Sequence, residues 1–335
     1  MAALTYLQSL QQGLHRAFAQ DARVHLLGED VLDPYGGAFK VTAGLSTQYP
    51  DRVFTTPISE AAIVGVSVGM AMRDLRPVAE IMFGDFLTLC ADQIINHATK
   101  FHAMYNGAVP VPLVIRTPVG GGRGYGPTHS QSLEKLFLGV PNLHVVAPSH
   151  FHDPGTMLHH AILSDSRVVL FLEHKLLYPQ RLVETGETLT VRLVEEASGY
   201  PTAIATNYAG GAPDVTVIGY GGMSLLAARA MENLIAEEIR VLAVFPGSLK
   251  PLPLETLVEN AALSRRVVLV EEGTAGFNWG SEVSALLYER LWRQLHAPIR
   301  RLAAHDNILP AAKEMEDQAL VTTEKLEAAL LEVLE

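Results

Sequence analysis

The stretch Thr56-Pro57-Ile58-Ser59-Glu60-Ala61-Ala62-Ile63-Val64-Gly65-Val66-Ser67-Val68-Gly69-Met70-Ala71-Met72 decides the fold. Pro57 to Glu60 read as the opening of a helix, and the residues after Glu60 are small and apolar. A helix this apolar is expected to be buried on all sides. Gly65 and Gly69 stand four apart on one face, which predicts close approach of a partner element. On either side lie strand signals, a short edge strand at Arg52–Phe54 and a buried strand at Pro77–Phe83. Further out, Ala3–Phe18 has a helical period, and Val24–Gly28 is a strand with Glu29 and Asp30 at its end. Towards the C-terminus, Asp85–Met104 reads as one long helix and Val111–Arg116 as a strand of continuous apolar residues. Val119–Pro127 is a loop with glycines at 120, 121, 122, 124 and 126. A helix at His129–Leu138, a strand at His144–Pro148, a helix at Asp153–Ser164 and a strand at Val168–Glu173 follow. Strands alternating with helices in this way predict an open parallel α/β sheet.

The pattern breaks after residue 180. Tyr178–Pro213 is richer in charge, with Glu184, Glu187, Glu195 and Glu196, and carries hairpin strands and the pair Gly210-Gly211. We read 1–180 as one domain, 181–213 as a linker and 214–335 as a smaller α/β domain. The second domain alternates strands at Val215–Tyr220, Val241–Phe245, Val267–Glu271 and Ile299–Ala303 with helices, and closes on an amphipathic helix at Leu320–Leu334.

Composition narrows the function. The chain has 335 residues, and 25 Lys and Arg against 36 Asp and Glu give a net charge of −11. Without a basic run, no nucleic-acid partner is expected. No apolar stretch is long enough for a membrane span, and no signal peptide is read, so no membrane association and a cytoplasmic location are expected. Cys90 is the lone cysteine and reads as a buried thiol. No Gly-x-Gly-x-x-Gly, Walker loop or Gly-x-Ser-x-Gly elbow occurs in the positions those chemistries need. The 13 histidines include no metal-binding helical pair, and His150, His152, His159 and His160 are expected on a surface helix or its approach.

Three positions carry chemistry. Glu60 sits where free helix N–H groups stabilise an anion while burial opposes it, so it is either a cap or a poised proton acceptor. His129, after the glycine-rich loop, is either a cap or a catalytic group on a loop that orders around ligand. Phe86, with Met82, Phe83 and Asp85 beside it, is either core or an aromatic wall for a planar ligand.

Beyond these, a series of segments falls in register with a known pattern. It includes Leu27-Gly28-Glu29-Asp30-Val31, Gly36-Gly37-Ala38-Phe39, Thr56-Pro57-Ile58-Ser59-Glu60, Arg76-Pro77-Val78-Ala79-Glu80 and Asp92-Gln93-Ile94-Ile95-Asn96. It continues with His129-Ser130-Gln131-Ser132, Val145-Val146-Ala147-Pro148-Ser149 and Leu176-Leu177-Tyr178. In these the chain resembles the beta subunits of thiamine-diphosphate-dependent 2-oxo acid dehydrogenases, which act on pyruvate, branched-chain 2-oxo acids or acetoin. Glu60 to Gly69 also matches that cofactor fold's motif of Glu, four residues, Gly, an apolar residue, two residues, Gly. The resemblance implies a transketolase-like pyrimidine-binding domain followed by a transketolase C-terminal-like domain. It implies decarboxylation of a 2-oxo acid and transfer of the acyl unit to a lipoyl group.

The resemblance also implies residue roles. Glu60 would hydrogen-bond N1′ of the cofactor's aminopyrimidine and exchange a proton there. Phe86 would pack on the pyrimidine, with Met82 beside it where many members have Gln. His129 would assist acyl transfer, and Glu29 would join a proton relay between paired sites. A potassium ion is implied near Leu113, Ala161, Ser164 and Asp165. Mg²⁺ and the diphosphate would be held mainly by an alpha subunit, because Gly84-Asp85-Phe86 is not the usual Gly-Asp-Gly. The implied assembly is an alpha2beta2 heterotetramer that serves a lipoyl acyltransferase core. The chain departs from the family in Ala243–Pro253, where members carry Asp-Leu-Arg-Thr and Pro-Leu-Asp, and in Ala103–Asn106 and Asn307–Pro310. An alternative therefore stays open, in which the subunit performs acyl transfer or carboligation with another acceptor such as an acyl-carrier protein.

Overall fold

A computed structural model describes residues 4–183, 186 and 188–335; the expectations for Ala3, Glu184 and Glu187 lie outside the described residues. In chain order the strands are β1 (Val24–Gly28), β2 (Val53–Thr55), β3 (Arg76–Glu80), β4 (Leu113–Val119), β5 (Leu143–Val146), β6 (Val168–His174), β7 (Thr190–Val194), β8 (Thr202–Thr206), β9 (Val215–Gly219), β10 (Val241–Pro246), β11 (Ser248–Lys250), β12 (Val267–Thr274) and β13 (Arg300–Ala304). The helices are α1 (Tyr6–Gln20), α2 (Leu45–Gln48), α3 (Glu60–Ala71), α4 (Thr99–Met104), α5 (Lys135–Leu138), α6 (Pro154–Leu163), α7 (Met223–Asn233), α8 (Leu254–Ser264), α9 (Trp279–Leu291), α10 (Lys313–Ala319) and α11 (Thr323–Glu332).

The first sheet runs β11-β5-β6-β4-β3-β1-β2, parallel except for β11. Its two faces are both covered, which is why its strands read as continuous apolar runs. Val78, Val114, Val169 and Phe171 point to one core with α1 and α6, while Ala79, Ile115, Leu170 and Leu172 point to the other with α3. α1 starts on a capping box, Gln8 N donating to Thr5 Oγ1 at 3.2 Å and Thr5 N to Gln8 Oε1 at 2.9 Å. It crosses α6 so closely that a Cβ on Gly155 would lie 1.8 Å from the Ser9 carbonyl oxygen. Only glycine fits that crossing.

The second sheet runs β13-β12-β9-β10-β8-β7. The 181–213 stretch supplies β7 and β8, an antiparallel hairpin paired to the edge of β10. The second domain returns one strand to the first, because β11 pairs antiparallel with β5. One apolar cluster runs unbroken from Ile63 and Leu113 in the first domain to Ile218, Val244 and Trp279 in the second.

Three helical expectations are corrected. The segment expected as one helix over Asp85–Met104 is a 3₁₀ stretch (Gly84–Cys90), a π-helical stretch (Gln93–Ala98) and then α4. Helix in His129–Leu138 is confined to α5, and the Gln131 carbonyl accepts instead from Gly120 N at 3.3 Å. α3 is buried on one face only, through Ile63, Val64, Ser67 and Val68. Its other face, Ala62, Gly65, Val66 and Gly69, is open, and a Cβ on Gly69 would meet nothing within 4 Å. Among the described residues a Cβ on Gly65 would meet only the Gln93 side chain, at 3.7 Å, so the close backbone approach that the two glycines permit is not used.

Candidate active site

In the first domain the chemistry-bearing residues gather at the carboxyl ends of the parallel strands, where open α/β sheets place their sites. Glu29 follows β1, and Glu60 opens α3 just after β2. Both carboxylates are buried, at 7% and 6% exposure. Burial, and after it the charge of Glu60, pushes the Glu29 carboxyl above its ordinary range, while a backbone hydrogen bond from Ser59 works against them. Among the described residues Glu29 Oε1 has no hydrogen-bond partner, nor do the buried Thr56 Oγ1, Asp85 Oδ2, Gln93 Oε1 and Ser130 Oγ. Buried polar atoms are seldom left unpaired, so the free Glu29 Oε1, close to Glu60, suits a polar ligand.

Beyond β3 the chain turns through Met82 and Phe83 into the 3₁₀ stretch that packs against α3. Phe83 and Phe86 meet edge-on with ring centroids 5.9 Å apart, and both meet the His129 ring edge-on, at 4.7 and 5.2 Å. Phe39, stacked on Tyr178 at 5.1 Å, and Tyr125 complete the wall around Phe83. Thr128 Oγ1 lies 3.0 Å from His129 Nδ1. Lys175, just after β6, donates from Nζ to the His129 carbonyl at 2.5 Å. Burial pulls the Lys175 ammonium down to about 8, against the pull of Asp85 and Glu272. Gln131 is tied to Asp85 Oδ1 through its Nε2 at 2.8 Å.

The glycine-rich loop after β4 is clasped from the second domain. Gly121 N donates to Glu272 Oε1 at 2.6 Å, and Glu272 Oε2 bonds His174 Nε2 at 2.8 Å. Gly120 (φ +95°) must be glycine, because a Cβ there would lie 2.1 Å from His174 Nε2.

Glu29, Glu60, Met82, Phe86 and His129 therefore all lie beyond the carboxyl ends of strands in the first sheet. Leu113, Ala161, Ser164 and Asp165 sit apart, at the opposite end of β4 and the end of α6. There the Asp165 carboxylate already accepts from Tyr200 OH at 3.0 Å and meets His144 Nδ1 at 2.7 Å. The carbonyls of Ile162 and Asp165 take Arg76 Nη1 at 2.8 and 3.3 Å, so any cation there is left with other backbone carbonyls. Among the described residues no group of three or more His, Cys, Asp and Glu side chains is gathered to hold a metal ion. His150 and His152, expected near the surface, are buried at 5% and 2% exposure. Burial pulls them down to about 3 and about 4, so they are neutral structural groups. Cys90 is buried, its thiol pushed up to about 12 by burial first and then by the charge of Glu60. Sequence reading missed Lys175, Phe39, Glu272 and Glu316. The one available signal was the charged run Glu173-His174-Lys175 ending a strand that is otherwise apolar.

Two α/β domains, the first carrying an apolar, glycine-bearing helix that opens on a buried Glu, define a transketolase-like architecture. The chain matches the family described as "Transketolase, pyrimidine binding domain" over residues 2–181 and "Transketolase, C-terminal domain" over 206–326. A split-gene transketolase, solved as an inactive beta4 tetramer, superposes with a TM-score of 0.70 over 99% of both chains at 20% identity, and so shares the fold. The 2-oxoisovalerate dehydrogenase subunit beta of Bacillus subtilis (strain 168) is 37% identical over 100% of both chains. The pyruvate dehydrogenase E1 component subunit beta of Leifsonia xyli subsp. xyli is 36% identical over 93% of this chain and 89% of that one. The acetoin:2,6-dichlorophenolindophenol oxidoreductase subunit beta of Cupriavidus necator is 33% identical over 96% and 94%. The chain belongs to the family of beta subunits of thiamine-diphosphate-dependent 2-oxo acid dehydrogenases. The family resemblance and the fold class expected from the sequence both hold. Among the described residues no helix is long and apolar enough to cross a membrane.

Proposed function

We propose that this chain is the pyrimidine-binding half of an enzyme that decarboxylates a 2-oxo acid and passes the acyl unit to a lipoyl group. The observation that carries this reading is the buried Glu60 at the first turn of α3, beside a Glu29 whose Oε1 has no partner. An acid at a helix start, a second acid of raised proton affinity and an aromatic wall fit the aminopyrimidine end of thiamine diphosphate. When bound, that cofactor supplies the electron sink for decarboxylation. Glu60 accepts and returns a proton at N1′ of the pyrimidine. Glu29, whose carboxyl burial holds above its ordinary range, is a second proton-transfer group in the same buried region. Phe86 and Met82 orient the ring, and Phe39, Phe83 and Tyr125 help exclude water around it. His129, with Nδ1 taken by Thr128, offers Nε2 as the proton donor and acceptor for acyl transfer.

The diphosphate and its Mg²⁺ fall to an alpha subunit, in an alpha2beta2 assembly placed in the cytoplasm, where a lone buried thiol is at home. The open face of α3 supports such a partner. Val66 is 53% exposed there, and Ile58, just ahead of the helix, is 85% exposed. Exposed apolar side chains beside a face of small residues suit an interaction site. A potassium ion bound by backbone carbonyls near Leu113 and Ala161 belongs to the same proposal.

The test is reconstitution with the alpha partner and assay of a panel of 2-oxo acids by reduction of 2,6-dichlorophenolindophenol. Glu60→Gln preserves size but cannot take the proton, and is expected to lower turnover about 10²–10⁴-fold. Turnover near wild type for Glu60→Gln would overturn the assignment.

A further inference from the structure

We infer that Glu316, on the C-terminal domain's α10, is a positioning residue that holds the glycine-rich loop leading to His129. Glu316 is 0% exposed. Its Oε1 accepts from Gly122 N and its Oε2 from Gly124 N, both at 3.0 Å. Buried carboxylates are costly unless several donors compensate them, and here loop amides from another domain do so. Positive φ at Gly122 and Gly124 (+81° and +70°) permits both N–H groups to converge on one side chain. The segment leading into α10 lies against the same loop, since a Cβ on Gly124 would come within 3.2 Å of the Ala311 carbonyl. Glu272 secures the preceding amide, at Gly121, and Lys175 secures the far end through the His129 carbonyl. The histidine's place is thus fixed from both domains, and its ring can be no better located than the loop before it. Two acceptor oxygens are needed. Gln keeps one acceptor and can hold one amide, while Asp keeps the charge but not the reach.

The kinetic part of this inference rests on the proposed role of His129, whereas the loop contact stands without it. The experiment uses the full chain assembled with its alpha partner. Trypsin cleavage after the exposed Arg123, inside the clasped loop, is followed by mass spectrometry relative to cuts elsewhere. Glu316→Ala is expected to speed that cut at least about tenfold and to lower kcat for acyl transfer about 10- to 100-fold, the scale set by misplacing a reacting group. The KM for the 2-oxo acid and the affinity for thiamine diphosphate should stay within about twofold. Glu316→Gln should fall between Glu316→Ala and wild type, and Glu316→Asp should resemble Glu316→Ala. Cleavage after Arg123 and kcat both at wild-type values in Glu316→Ala would overturn the inference, as would a drop in melting temperature alone. Should the alanine variant fail to fold, Glu316→Gln decides by the same two readouts. Faster cleavage in a preparation whose wild type turns over no 2-oxo acid would leave the clamp standing and remove the reaction instead.

Discussion

A side chain that exchanges protons with a bound heterocycle must be dry enough to keep its proton from bulk water and close enough to a second group to refill it. Glu60 and Glu29 meet both conditions, being buried and close enough for the charge of one to raise the proton affinity of the other. His129 differs in kind. It is partly exposed and held edge-on between Phe83 and Phe86, and its backbone is tied to Lys175. A group on the solvent side of the aromatic wall can meet an incoming carrier without touching the pyrimidine. His129→Ala is therefore expected to cut transfer to a lipoyl acceptor about 10²–10⁴-fold while lowering dye-coupled decarboxylation much less. Equal losses in the two assays would make it a general active-site residue. Glu60 and His129 stand out in the sequence because each lies within a short segment in register with the family pattern, and Phe86 because it is an aromatic residue at a strand end. Lys175 and Glu316 were not, because the backbone each one holds is 46 and 194 residues away along the chain.

Among the elements, α3 shows where hydropathy stops being informative. Its apolar composition predicts burial but cannot say whether the covering surface belongs to the same chain. The face at Ile63, Val64, Ser67 and Val68 is covered here, and the face at Ala62, Gly65, Val66 and Gly69 is not. Gly69→Leu separates the two demands. A Cβ at that position meets nothing within 4 Å, and leucine is the better helix former, so the chain should fold as well as wild type or slightly better. Any surface that uses the small-residue face for close approach would lose it. The expected outcome is an unchanged or slightly raised melting temperature for the isolated chain and loss of co-elution with the alpha partner on gel filtration. Co-elution at wild-type strength would move the interface elsewhere. The stretch 84–104 carries the related lesson that helical period was correct in kind but not in winding. Period alone does not distinguish 3₁₀ and π turns from α-helix, and here the tighter turns carry Phe86 of the aromatic wall, as such irregularities often do at functional sites.

At the scale of the whole molecule, the two domains meet through β11 added to the first sheet, a shared apolar core and a buried acidic knot. In that knot Tyr220 OH donates to Glu134 and lies 3.5 Å from Glu271 Oε2, while Gly280 N donates to Glu271 Oε1 at 2.9 Å. Glu272, paired with His174, stands close by. Burial, and then the charge of Glu134, pushes the Glu271 carboxyl up to about 8, and burial raises Glu134 as well. In the unfolded chain both would ionise near the ordinary carboxylate value of about 4.3. Between those values the folded protein holds a proton that the unfolded chain has released. The stability this contributes is complete below the unfolded value and is lost as pH rises through about 8. Lys175, pulled down to about 8 by burial, acts in the opposite sense but only above that pH, where the folded state gives up its proton first. The buried His150 and His152 add stability that is lost as pH falls below the ordinary histidine range, equally in wild type and variant. A comparison of slopes between pH 5 and 8 therefore isolates the knot. Glu271→Gln keeps an acceptor for Gly280 N and removes one titration. Its unfolding free energy, from denaturant melts at each pH, should fall less steeply than wild type's, by at most about 1.4 kcal/mol per pH unit, the value of one proton. Parallel slopes in the two proteins would mean that Glu271 is ionised in the folded state at neutral pH. The contact between the domains would then carry the Glu271 charge, with the Gly280 N–H as a hydrogen-bond donor to it.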